Sequence, residues 1–353
     1  MTSTPALEQR VLDATIGALE LFGIYLGSRL GLYATLHERP GSTVAEFAAR
    51  AGIAPRYAQE WLEQQAVAGV VEVDGVTADA QARRYVLPQA HLGVVCDPVA
   101  LDHLAPLARM VVGIASVLDE VAEAYRTGGG VPYARYGPEF RAGQGGVNRP
   151  AFTSALVEEW LPALGVPAER LAGGGRLADL GCGLGWSTIA VARAYPNADV
   201  WGFDLDPSSI DDARAAADGQ HVSCRFEVAD AGGIAGNGPF DVILMLETLH
   251  DMARPAEVLT ATRAALSADG ALLVADEAVA ASFTAPGDDI ERMMYGWSIT
   301  HCLPAAMAEQ PSAAIGTVIR EDTVRELAAE AGFEHVDVLD VDGGFFRIYA
   351  LRP

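Results

Sequence analysis

Residues 179–186 read Asp179-Leu180-Gly181-Cys182-Gly183-Leu184-Gly185-Trp186, and this stretch decides the fold. A short apolar run, 176–180, precedes the glycines, and a helical pattern from Ser187 to Tyr195 follows them, so they join a strand to a helix. A glycine turn at such a junction lets backbone approach a ligand lying beyond the strand's carboxyl end, where the helix N-terminus also points. A dinucleotide loop of the form GxGxxG needs a small final residue for close helix–strand packing. Trp186 stands there, which makes NAD a poor fit.

Outward from this loop, short apolar runs alternate with helical segments to the C-terminus, which predicts an α/β architecture with a parallel sheet and crossover helices. The expected strands are 176–180, 199–204, 222–229, 240–246, 271–276, 335–341 and 345–351. The last two are joined by Asp342-Gly343-Gly344, a turn so tight that only an antiparallel return fits. Acidic residues recur at strand tips: Asp204, followed by Leu205, ends the second strand, and Asp230, followed by Ala231, ends the third.

An acidic residue opening a GxGxG loop resembles motif I of class I S-adenosylmethionine (SAM)-dependent methyltransferases. The resemblance implies a Rossmann-like seven-stranded fold with SAM as cofactor. It lays the backbone of Gly181, Gly183 and Gly185 along the methionine and ribose portions, with Asp179 helping to hold the amino acid end. Asp204 and Leu205 then meet the ribose, and Asp230 and Ala231 the adenine.

Ahead of this domain the pattern is helical from Leu7 to Leu36, with Gly23, Gly27 and Gly31 forming a smooth face suited either to intrachain packing or to a dimer contact. Segments 43–51 and 56–68 flank a Gly52-Ile53-Ala54-Pro55 turn. A hairpin-like stretch follows, 70–73 and 85–87 with Asp74-Gly75 between them, so the order is helix, turn, helix, wing. A winged helix ahead of this catalytic domain resembles methyltransferases whose N-terminal domain builds a dimer. Gly128-Gly129-Gly130-Val131-Pro132-Tyr133, Asn148-Arg149-Pro150, Leu249-His250-Asp251-Met252 and His301-Cys302-Leu303-Pro304 are similar to a bacterial group of regulator-like methyltransferases, a likeness that implies the scaffold and not the substrate. The domains expected are a winged-helix-like dimerisation domain over 1–90, a helical connector over 91–150 that contributes to the substrate pocket, and a SAM-binding catalytic domain over 151–353.

Bulk properties narrow the partners. A length of 353 residues suggests two units, and a net charge of -23 disfavours nucleic acid. The would-be recognition helix, 56–68, carries Glu60 and Glu63 against one arginine, which argues against a SAM-sensing, DNA-binding regulator. All 24 basic residues are arginines, so lysine chemistry is excluded. The apolar stretch Ile16 to Leu36 is interrupted by Glu20 and Arg29 and reads as neither a signal peptide nor a membrane span. Cys96, Cys182, Cys224 and Cys302 are scattered without a CxxC pair, so neither a disulfide framework nor a cysteine zinc site is expected and a reducing, cytoplasmic home is.

Methyl transfer needs an aligned nucleophile and, for a hydroxyl or thiol, a proton acceptor. Glu247, His250 and Asp251 follow the fourth strand, the edge that faces the methyl group in this family's fold, and His301 lies in an insertion that can cover the site. His250 titrates near neutral pH when unperturbed and is the first choice as base. Each has a structural alternative: His250 can bond its own loop, and Asp251 can cap a helix near Arg254. Asp276 and Glu277 end the fifth strand, but no metal is expected, because catechol-type enzymes pair such a site with a lysine. Tyr133, Tyr136, Phe140, Tyr295 and Trp297 are expected to line the pocket of a small-molecule substrate, with core packing as the alternative. A rival reading keeps SAM and replaces transfer by cyclisation or cleavage of SAM itself.

Overall fold

The computed structural model describes residues 4–74 and 79–353. They divide into two compact units, 1–113 with 142–150 and 114–141 with 151–353.

The first unit opens with α1 (Thr4–Arg29) and α2 (Leu32–Glu38). The sequence pattern suggested one helix from 7 to 36, but Gly31 adopts φ 66 and breaks it. α3 (Val44–Ala51) begins with a capping box in which Thr43 and Glu46 satisfy each other's backbone donors. α4 (Pro55–Val67) starts on a proline, whose missing N–H costs nothing at a helix start. β1 (Glu72–Asp74) and β2 (Arg84–Val86) pair antiparallel as the wing; the hairpin turn from Gly75 onward lies outside the described residues. Leu32, Tyr33, Leu36, Phe47, Trp61, Leu62 and Tyr85 form the core.

The glycine ridge of α1 serves that core. A Cβ on Gly27 would stand 2.4 Å from the Tyr33 ring and 2.8 Å from Trp61, and the Gly23 carbonyl accepts from Trp61 Nε1 at 3.0 Å. An apolar flank of α1 stays uncovered in one chain: Leu7, Val11, Leu12, Ile16, Leu19 and Leu26 are all exposed. Ala6–Arg29 is long and apolar enough to cross a membrane by length and composition only, a test that core helices also pass.

The second unit holds a seven-stranded sheet: β3 (Arg176–Leu180), β4 (Asp199–Asp204), β5 (Arg225–Val228), β6 (Phe240–Leu246), β7 (Leu266–Glu277), β8 (His335–Val338) and β9 (Phe346–Arg352). Their order is β5-β4-β3-β6-β7-β9-β8, parallel from β5 to β7, with β9 antiparallel between β7 and β8. β5 and β8 are shorter than their apolar runs. β7 starts early because Leu266 pairs with Phe240 before a register shift at Val242. Both faces of the sheet are covered, by a core around Leu180, Ile243, Met245 and Val274 on one side and Leu177, Leu244, Leu273 and Trp160 on the other. Burial on both faces explains why these strands read as continuous apolar runs. The chain steps outward from β3 to β5 and then returns to β6 on β3's other flank, so the carboxyl end of β3 lies at the switch point where such sheets bind ligands.

Candidate active site

At that switch point Gly181, Gly183 and Gly185 all take left-handed backbone, with φ 73, 51 and 75. The backbone disfavours a side chain at all three, and space excludes one at two of them. A Cβ on Gly181 would collide with Thr248 and one on Gly185 with Phe226, whereas one on Gly183 would meet nothing within 4 Å. Gly183 therefore presents bare backbone to open space. Asp204 anchors the loop: Oδ2 accepts from Gly183 N at 2.8 Å and Oδ1 from Asp206 N at 2.8 Å. Each carboxylate oxygen has a second lone pair, so Asp204 keeps capacity for a vicinal diol. Leu205 beside it is 64% exposed, an apolar surface at a strand tip. Asp230, exposed beyond β5, caps the turn Ala231–Gly236 through Oδ1 to Gly232 N at 2.8 Å, and Ala231 is half-buried. A backbone cradle, a diol acceptor and an apolar ledge fit SAM.

Asp179 differs in accessibility. It is buried, and its Oδ2 accepts from the Ser187 and Thr188 hydroxyls at 2.5 and 2.6 Å, which ties the loop to the helix Trp186–Ala194. Burial raises its pKa from 3.8 to about 6, with the neighbouring Asp204 adding to the rise.

The glycine loop touches the second half of the site through Gly181 and Thr248, two residues ahead of His250. His250 is buried, with Nδ1 2.6 Å from Asp276 Oδ1 and Nε2 3.3 Å from Asp251 Oδ1. Burial alone would push the imidazole's pKa down, but Asp276 and Asp251 outweigh it and hold His250 well above its ordinary value. The expectation of an unperturbed imidazole is not met. Glu247 stands at φ 58, an unusual conformation for a side-chain-bearing residue. It faces the buried Glu277, whose carboxyl is raised well above its usual range by burial first and then by Glu247.

Three of the five expected aromatics converge on His301. Its ring stacks on Phe140 at 4.0 Å and meets Tyr136 edge-on at 4.5 Å and Tyr133 at 5.8 Å. Tyr136 and Phe140 are buried, and Tyr136 donates its hydroxyl to Thr300 O at 3.0 Å. Tyr133 is half-buried; its phenol pKa is raised by burial and then by the carboxylates of Asp204, Asp206 and Asp251. His301 is buried with Nε2 unpartnered, and burial followed by His250 pushes its pKa down to about 3. Tyr295 and Trp297 do not join this group: Tyr295 is 38% exposed and packs edge-on against Phe283, and Trp297 shares no ring contact among the described residues.

Sequence reasoning missed Cys302, whose Sγ lies 3.4 Å from His301 Nδ1 and which also reaches His250. It missed Arg141 as well, which pairs with Asp212 at 3.2 Å and Asp206 at 3.7 Å. Neither side chain has a local signal, because its partners lie far away in sequence.

The family model described as a methyltransferase domain matches residues 172–332, the segment that carries the glycine loop, Asp204 and the His250 cluster. Residues 172–332 are a methyltransferase domain. Ahead of it, residues 17–96 match the Rv2258c-like winged HTH domain, as the order helix, turn, helix, wing anticipated. A curated relative, trans-aconitate 2-methyltransferase of Methylobacterium nodulans, is 32% identical over 104 residues, which are 30% of this chain and 39% of that protein. The chain thus spans about two fifths of that relative. Among solved structures, the mitomycin 7-O-methyltransferase MmcR aligns with TM-score 0.68 at 20% identity, covering 99% of this chain and 98% of its own. Human N-acetylserotonin methyltransferase in complex with SAM aligns with TM-score 0.70 at 18% identity, covering 100% and 99%. At these identities the alignments establish a shared fold, Rossmann-like sheet and helical N-terminal region together, around the methyltransferase domain.

Proposed function

We propose that the chain is a class I SAM-dependent methyltransferase that modifies a hydroxyl or amine of a small metabolite by in-line displacement. The observation that carries this reading is the contact between Gly181 and Thr248, which joins the glycine cradle to the buried His250–Asp276 pair. SAM, when bound, supplies an electrophilic methyl group on a sulfonium. Gly181, Gly183 and Gly185 offer it backbone, Asp204 and Leu205 hold the ribose side, and Asp230 and Ala231 the adenine, with Asp179 keeping the loop closed through Ser187 and Thr188. In its neutral form His250 accepts the substrate proton at Nε2 while Asp276 fixes Nδ1, and the resulting imidazolium is the form that the carboxylates on both sides favour, so the active fraction grows as pH rises. His301, pushed down to about 3, is a weak base; it serves as a neutral wall whose Nε2 orients substrate. Glu247 supports the cluster through its pairing with Glu277.

Tyr133, Tyr136 and Phe140 from the connector form the inner side of the substrate pocket, and Tyr295 and Trp297 on the helix Asp289–Trp297 border its outer side. A homodimer follows from the uncovered apolar face of α1, too large to leave in water. Against DNA as the partner stands the charge of α4, where Arg56 is paired with Glu60. The test is incubation with methyl-labelled SAM and host-cell extract, followed by mass spectrometry. Label in a new metabolite together with S-adenosylhomocysteine supports transfer. Label retained in a SAM-derived ring or fragment would sink it in favour of cyclisation or cleavage.

A further inference from the structure

We propose that His250, Asp251 and Cys302 form a zinc-binding site. One ligand atom from each lies within 4.8 Å of the others, and the group is buried except for part of Asp251. Ligands held at about 2.0–2.3 Å by a tetrahedral ion stand roughly 3.3–3.8 Å apart. The 3.3 Å between His250 Nε2 and Asp251 Oδ1 matches one edge of that tetrahedron.

Two independent features point to an ion. Asp251 Oδ1 is buried without a well-formed hydrogen bond, its neighbour being His250 Nε2 at 3.3 Å, and a cation between the two would satisfy both atoms. Asp276 engages His250 Nδ1 at 2.6 Å and so turns Nε2 toward Asp251 and Cys302, the carboxylate–histidine arrangement that orients metal ligands elsewhere. A nitrogen, sulfur and oxygen donor set selects zinc over magnesium or calcium, which prefer oxygen alone. As zinc binds, the Cys302 thiol proton and any proton on Nε2 leave to solvent, and S–Zn and N–Zn bonds form with no change of oxidation state. Cysteine spacing gave no hint of this site, because one ligand comes from the covering segment and two from the loop after β6.

Zinc binding is independent of the methyl-transfer reading, but its consequence rests on that reading: an ion on Nε2 occupies the atom that accepts the substrate's proton, so zinc should inhibit. The test titrates zinc chloride into the full chain freed of metal by chelation. We expect one ion per chain with a dissociation constant of about 1 µM or lower, and at least tenfold weaker binding in Cys302→Ser and Asp251→Asn. Cobalt(II) should give a thiolate charge-transfer band that Cys302→Ser abolishes, and SAM titration of the same samples shows that the variants are folded. Absence of stoichiometric zinc, or a Cys302→Ser protein that binds it equally well, overturns the site. Zinc that binds through Cys302 to a protein with no affinity for SAM would confirm the site and remove the methyltransferase reading. Zinc that binds through Cys302 and leaves turnover intact would confirm the site and remove Nε2 as the base.

Discussion

Asp276 Oδ1 lies 2.6 Å from His250 Nδ1 with both side chains almost wholly buried, so one carboxylate decides which nitrogen of the imidazole is left to work. His250→Ala should therefore lower turnover by roughly 10²–10⁴-fold, the span usual for a general base, with SAM affinity nearly unchanged. Asp276→Asn should lower kcat in the same direction with little effect on KM for SAM, because an amide no longer enforces the tautomer. Steady-state kinetics on the labelled product would check both. Near-full turnover in His250→Ala with loss in His301→Ala would move the base to the covering segment.

Asp204 holds two backbone donors, one of them Gly183 N in the glycine loop. Asp204→Ala removes both the loop anchor and the acceptor for the ribose hydroxyls. SAM binding should weaken by about 1–3 kcal/mol, the scale for hydrogen bonds to a charged partner. Isothermal titration against the parent reads this directly, and an unchanged affinity would detach the tip of β4 from the ligand.

These two halves of the site were unequally legible in sequence. The cradle was readable because its chemistry is local: a glycine loop, then acids at successive strand ends, each next to the apolar run that positions it. The His250 cluster was only partly so. His250, Asp251 and His301 are visible as residue types, but their values depend on burial and on Asp276 and Cys302, which arrive from other elements. The same distinction holds for α1. Periodicity predicts a helix through Gly31, whereas Tyr33 and Trp61 packing against Gly27 decide where the chain must break and turn.

Asp179 offers a prediction about stability and pH. Its folded-state pKa of about 6 lies above its ordinary 3.8, so folding favours the protonated carboxyl. Its stabilising contribution is therefore fully present below about 3.8 and lost as pH rises through about 6. Asp179→Asn keeps an acceptor for Ser187 and Thr188 without the buried charge. At pH 8 the variant should be more stable than the parent by up to about 3 kcal/mol, with the gap narrowing as pH falls toward 4. Thermal melts across this range measure it; a gap that does not change with pH would show that the carboxyl is not destabilised by ionisation.

The final prediction concerns assembly. Leu7, Val11, Leu12, Ile16, Leu19 and Leu26 are exposed along α1, while Gly23 and Gly27 are already committed to Tyr33, Trp61 and the glutamines of α4. In the proposed dimer the contact uses the apolar flank and not the glycine ridge. Burying such side chains is worth on the order of 1.5–3 kcal/mol each, and a two-fold contact counts every residue twice. A Val11→Asp, Leu19→Asp double substitution places four charges in the interface and should convert the dimer to monomer in light scattering. It leaves the core of the winged unit untouched, so SAM affinity should survive. Gly27→Ala makes the contrasting control, because its methyl meets the Tyr33 ring inside one chain: it should lower the melting temperature of the winged unit without first dissociating the dimer. If the double aspartate variant stays dimeric, the contact lies off α1; if Gly27→Ala dissociates the protein before it melts, the ridge itself is the interface.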